Sequence, residues 1–188
     1  AGEQGGAVFN STFSVTSFQD CVIARNTALS SGGGFVCTLS SSVTIVDCSV
    51  TGNVASEFGG GSIEESGLSI SGSTFSMNDN GGLKARANLG QITGCIFSEN
   101  GGYGLTMHGD RGSISNSSFT SNNDNGLVLN GDNAIIAANE FLANGKSGLV
   151  TEGSSNQLSN CRADDNGDTG IRGLGDGTEA ISCTATSN

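Results

Sequence analysis

Phe97-Ser-Glu-Asn100-Gly-Gly-Tyr103-Gly-Leu105-Thr-Met107-His108 is the stretch that decides the fold, because its opening phrase recurs along the chain. Phe75-Ser-Met-Asn78, Phe119-Thr-Ser-Asn122 and Phe141-Leu-Ala-Asn144 repeat it, and Asn78, Asn100, Asn122, Asn144, Asn166 and Asn188 follow one another at intervals of 22 residues. Going backwards, Asn53 lies 25 residues before Asn78 and Asn26 a further 27, so the earliest coils carry insertions. A fixed period of this length marks a solenoid, in which each repeat buries its apolar side only against its neighbours.

Working outward from the asparagine gives the architecture. Eight residues before it stand Phe18, Ile45, Ile70, Ile92, Ile114, Ile136, Leu158 and Ala180, and three before it Ile23, Val50, Phe75, Phe97, Phe119, Phe141, Ala163 and Ala185. Five residues after it, in the regular coils, stand Leu83, Leu105, Leu127, Leu149 and Ile171, each preceded by glycine. Within each short segment the apolar positions alternate, as in a strand with one face buried. The period is too short for two packed helices, and the L-x-x-L-x-L phrase of leucine-rich repeats is absent. Three short strands per coil, joined by Gly/Asn/Asp turns, satisfy both period and phase.

The expected fold is therefore an all-β, single-stranded right-handed parallel β-helix of about eight coils, forming one domain over residues 1–188. Residues 1–62 make irregular coils with insertions, and 63–188 make regular 22-residue coils. The chain is expected to be a fragment of a longer solenoid. Stacked at ~4.8 Å per coil, like residues lie above one another, and the asparagine amides can hydrogen-bond along the stack. Asparagine is also expected to take the left-handed conformation of a tight corner. These asparagines read as structural.

Composition agrees. The 188 residues include 31 glycines and no proline, so turns rely on positive φ rather than a ring-fixed negative one. A formal net charge of −11 argues against nucleic acid as a partner and leaves room for Ca²⁺, although no cofactor is required. No apolar run approaches the ~20 residues that cross a bilayer. The expected location is extracellular, secreted or at the cell surface.

Five of the six cysteines share the column five residues before the asparagine: Cys21, Cys48, Cys95, Cys161 and Cys183, with Ser73, Ser117 and Asn139 elsewhere in it. Cys37 falls on an inward position two residues after Phe35. All six read as small core residues. Cys21/Cys48 and Cys161/Cys183 lie within reach of a disulfide, but in-register parallel strands give poor dihedrals for that bond, so free thiols are favoured. Without a CxxC pair, no zinc site is expected. Asp110, Asp132 and Asp176 follow glycines on one edge and read as Gly-Asp turns rather than a Ca²⁺ site. Asn10-Ser-Thr12 and Asn116-Ser-Ser118 fit the glycosylation pattern, which arises readily by chance in a chain so rich in Asn and Ser.

Inward positions are taken by the core, so chemistry must sit on an outward face or in the insertions. The strand after the Gly-Leu pair is the informative one. Its outward positions carry Lys84 and Arg86, Thr106 and His108, Val128 and Asn130, Val150 and Glu152, then Arg172 and Leu174. Three of seven basic residues and the sole histidine thus share one strip, beside the sole tyrosine, Tyr103. A basic strip on an acidic chain suits docking of an acidic polymer. Lys84, Arg86, Thr106, Asn130, Glu152 and Arg172 are the candidate substrate-binding residues. No outward column is mostly threonine, which argues against ice binding.

These coils resemble the pectin-lyase-like repeats of polysaccharide lyases, epimerases and phage tailspikes. Within them Tyr103-Gly-Leu-Thr-Met-His108-Gly-Asp110 resembles the Tyr-Gly-(Phe/Ile)-Asp-Pro-His phrase of mannuronan C5-epimerases. That resemblance implies catalytic roles for Tyr103 and His108, and an acidic polysaccharide such as alginate as partner. Thr106 stands where the family has one catalytic aspartate and Asn130 where it has a second, and Met107 replaces the proline. Epimerising or cleaving a uronate removes a weakly acidic C5 proton, which needs carboxylate neutralisation, a base and an acid. Lys84 or Arg86 would supply the first, and His108 with Tyr103 the pair. Without the two aspartates, the strip is expected to bind sugar with weakened or no turnover. Separately, Gly5-Gly-Ala-Val8 and the Phe-x-x-Asn phrases resemble the repeats of polymorphic outer-membrane adhesins, which implies a non-catalytic stalk recognising a host or cell-surface protein. In that reading the long early segments Thr27–Gly34 and Ala55–Ser62 are the binding loops.

Overall fold

A computed structural model describes residues 2–11, 15–39, 42–64 and 67–188. Thr12, which completes the first glycosylation pattern, lies outside the described residues. The chain winds as a right-handed parallel β-helix whose three sheets each contain eight strands, all paired in parallel. One coil shows the pattern: Gln91–Thr93 enters the first sheet, Ile96–Ser98 the second and Tyr103–His108 the third. Successive coils stay in register, with Ile92 opposite Ile114, Phe97 opposite Phe119 and Leu105 opposite Leu127. Among the described residues no helix is long and apolar enough to cross a membrane.

In-register stacking turns each sequence column into a column of touching side chains. Phe75, Phe97, Phe119 and Phe141 are fully buried, and their rings stack with centroids 5.0–5.1 Å apart and interplanar angles of 2–15°. That spacing matches the distance between hydrogen-bonded strands, so one ring per coil fills the core without a gap. Leu83, Leu105, Leu127 and Leu149 make a second fully buried column.

The asparagine ladder forms, with a refinement of its expected geometry. Each amide oxygen accepts from the backbone N–H and the Nδ2 of the preceding coil's asparagine: Asn78 N and Nδ2 reach Asn100 Oδ1 at 3.1 and 3.2 Å. The Nδ2 of Asn100 donates onward to Asn122 Oδ1 at 2.8 Å and back to the Phe75 carbonyl at 3.0 Å. The side chain of each interior asparagine therefore spends its donors and acceptor lone pairs inside the wall, which a buried amide must do. Contrary to expectation, the left-handed residue is not the asparagine but the one before it: Met77, Glu99, Ser121, Ala143 and Asp165 have φ of 52–57°. That single αL residue turns the chain and swings the asparagine inward. Residue identity there is loose because the stacked hydrogen bonds, not the side chain, hold the corner.

The cysteine column makes a second polar corner. Cys48 N donates to Ser73 Oγ and Cys95 N to Ser117 Oγ, while Ser117 Oγ donates to the Ser115 carbonyl and Cys95 Sγ to that of Thr93. Cys, Ser and Asn substitute for one another because each offers both a donor and an acceptor in a small volume. All six thiols are free. Burial pushes Cys37 and Cys95 up to about 11. The glycine before each core leucine has an equally local cause: a Cβ on Gly104 would stand 2.5 Å from the Gly126 carbonyl oxygen and 2.9 Å from the Asn122 amide.

The early insertions do not project. Ala28–Ser31 pairs in parallel with Gly2–Gln4, Thr27 bridges Val54, and Glu57 N donates to the Ser30 carbonyl. They form a short fourth ribbon along the corner between the second and third sheets.

Candidate functional site

The third sheet carries two outward columns. Register places Lys84, Thr106, Val128, Val150 and Arg172 in one, and Arg86, His108, Asn130 and Glu152 in the other. Beside them runs an open groove of about 450 Å³. Of the residues singled out by sequence, Lys84, Tyr103, Thr106, His108, Asn130, Glu152 and Arg172 line it. Arg86 does not: it is exposed next to His108, on the outer margin.

The groove has a composite build. Its floor is the outward face of the sheet, apolar in the middle at Val128 and Val150, with Val150 only 7% exposed although it points away from the core. One wall comes from the start of the strands and the turn before them: Tyr103, Asn125, Ser147, Lys146 and Asp168. The insertion adds Phe58, whose ring stacks on Tyr103 with centroids 6.2 Å apart and planes 23° from parallel. Gly81, in the same column, leaves the room this stack needs, since a Cβ there would meet the Phe58 ring at 2.6 Å. Tyr103 and His108 lie at opposite ends of one strand, about 16 Å apart at Cα for five extended residues, so their rings bracket the Thr106 position.

The charges are partly committed. Lys84 Nζ lies 3.8 Å from Glu57 of the insertion, and Lys146 Nζ donates to Asp124 at 2.7 Å. Ser147 Oγ donates to Asp168 at 3.3 Å. Arg172 has no ion-pair partner among the described residues. His108 Nδ1 faces Asn130 Nδ2 at 3.4 Å. Burial, then the charges of Arg86 and Lys84, hold His108 below its ordinary range against the opposing pull of Glu152. Two buried oxygens here lack any partner: Thr106 Oγ1 and Asn130 Oδ1.

Among the described residues, no three His, Cys, Asp or Glu side chains gather as a metal site. Asp110 and Asp132 are used as turn acceptors: Asp110 Oδ1 takes the Asp132 N–H at 3.0 Å and Asp132 Oδ1 the Ser154 N–H at 2.7 Å.

The residues that outward alternation missed fall into two groups. Asn125 and Ser147 continue the column of Tyr103, one and two coils on, and Lys146 and Asp168 continue its neighbour, so the repeat contained their signal. Phe58 belongs to an insertion with no register, and only the folded ribbon brings it to Tyr103.

The model of the right-handed beta helix region family matches residues 60–188, and the chain belongs to that family. No curated protein matches the chain. The match begins where the coils become regular.

Proposed function

We propose that this chain is an extracellular module whose third-sheet groove binds an acidic, uronate-rich polysaccharide such as alginate, holding the polymer rather than turning it over. The observation that carries this reading is the groove itself, which gathers seven of the eight candidate site residues read from the sequence. Lys84 and Arg172 stand four coil steps apart, about 19 Å, a span that accommodates several sugar residues. On a chain of net charge −11 they are the attractive points for an anionic polymer. Phe58 and Tyr103 offer aromatic surface to the apolar face of a sugar ring.

Turnover is the weaker reading because proton removal at C5 needs a base and an acid of suitable strength. Where the C5-epimerase phrase has carboxylates, this chain has the hydroxyl of Thr106 and the amide of Asn130, neither of which takes up a proton near neutral pH.

A proton NMR time course with polymannuronate, with and without Ca²⁺, tests this. Broadened sugar lines on an unchanged polymer, weakening as salt rises, are expected. Growth of guluronate signals or unsaturated ends would establish an epimerase or lyase. No effect at all would remove the polysaccharide reading and leave the adhesin or stalk, with the stacked ribbon Ala28–Ser31 as its candidate surface.

A further inference from the structure

The single histidine has a neighbour that restricts what it can do. His108 Nδ1 lies 3.4 Å from Asn130 Nδ2, an amide nitrogen that only donates. For that contact to be a hydrogen bond, Nδ1 must carry its lone pair, and the ring proton must then sit on Nε2. Strand pairing sets His108 directly opposite Asn130, so the contact comes from coil register rather than from a chance rotamer.

We propose that Asn130 fixes His108 as an Nε2–H donor, so that His108 donates a hydrogen bond to bound ligand and does not serve as a base. This rests on the groove being the polysaccharide site. The acceptor it would meet is a sugar carboxylate or hydroxyl oxygen. With its amide nitrogen turned to the ring, Asn130 leaves Oδ1 buried and unpartnered, and Thr106 Oγ1 is in the same state. The donor on His108 suits a carboxylate-bearing sugar. Burial and the nearby Arg86 and Lys84 charges favour the neutral ring. Asn130 is thus a positioning residue acting through His108.

Because the chain has one histidine, its imidazole nitrogens can be assigned without ambiguity. The test is a ¹⁵N–¹H long-range spectrum of the ligand-free protein at pH 8, where the ring is neutral. The Nε2–H tautomer is expected in the native chain. Asn130→Asp, which replaces the donor by an acceptor, is expected to move the proton to Nδ1. Asn130→Ala is expected to give a mixture, with the backbone amide spectrum of the other coils retained. A native ring protonated on Nδ1, a mixture in the native chain, or a tautomer unmoved by either substitution would overturn the proposal. Polymannuronate added to the same sample separates the two readings. A native Nε2–H tautomer without sugar binding would sink the polysaccharide site alone, and binding with the Nδ1–H tautomer would sink the donor role alone.

Discussion

The inner wall of the second sheet and the outer face of the third run side by side along the same coils, and they obey opposite rules. On the inner wall every coil repeats: Phe75, Phe97, Phe119 and Phe141 stack ring on ring, and the asparagines after them pass hydrogen bonds from coil to coil. On the outer face the residue changes along the column, with only Val128 and Val150 alike: Lys84 is followed by Thr106, Val128, Val150 and Arg172. Constraint by packing stops at the sheet's outer surface. An inward residue must match its copies above and below because it packs directly against them. An outward residue meets solvent or a ligand, so a departure from the repeat costs little in stability and is free to carry recognition.

The largest effect is expected from breaking the ladder. Asn100→Ala removes the acceptor of Asn78 N and Nδ2 and the donor to the Phe75 carbonyl, and each buried group left bare costs ~1–3 kcal/mol. Denaturant unfolding should show a loss larger than that of Phe97→Ala, for which ~3–5 kcal/mol is the usual scale of a fully buried phenylalanine. Equal or smaller loss for Asn100→Ala would mean that the ring stack, not the amide ladder, dominates the wall.

Outward substitutions should leave stability within ~0.5 kcal/mol while changing recognition. Arg172→Ala, which removes a cation without an ion-pair partner among the described residues, should weaken polymannuronate binding about tenfold, ~1.4 kcal/mol. Lys84→Ala should cost less, since Lys84 is shared with Glu57. Titration calorimetry of both variants checks this order, and the reverse order would show that the Lys84 end anchors the polymer.

Thiol chemistry reports on the wall directly. Cys37, Cys48, Cys95 and Cys161 are buried, and Cys37 and Cys95 are pushed up to about 11, so a thiol reagent at pH 8 should leave them unmodified until the chain unfolds. Only Cys21 and Cys183, which are half-buried, should react in the native state. Fast labelling of Cys95 would show that the coils open locally.

The smallest effect concerns pH. His108 is held below its ordinary value of 6.5 in the folded chain. As pH falls through 6.5 the unfolded chain takes up a proton that the folded chain does not, so stability declines there. The decline ends once the folded ring also titrates, and above 6.5 the group contributes nothing. His108→Gln should abolish this part of the pH profile, and an unchanged profile would assign it to other groups.

Legibility followed the same division. The period, the three strands per coil and the inward columns from Ile45, Val50 and Leu83 onward could be read directly, because a solenoid writes each spatial neighbour at a fixed sequence distance. The strip was legible for the same reason: alternation that buries Leu105 and Met107 must turn Thr106 and His108 outward. The position of the αL residue was not, because any residue with enough support from stacked hydrogen bonds occupies it, Met77 and Glu99 included.

By itself, then, the sequence determined the coil, its register and the face on which the polar residues are displayed. Tertiary structure alone decided that the early insertions pack as a ribbon, that Phe58 comes to lie against Tyr103, and that Asn130 turns its amide nitrogen toward His108. The physical reason is common to all three. Periodic contacts such as the pairing of His108 with Asn130 are set by counting residues, whereas a contact made by an insertion has no fixed sequence separation, and which atom of a register-set side chain faces its neighbour is settled only by packing.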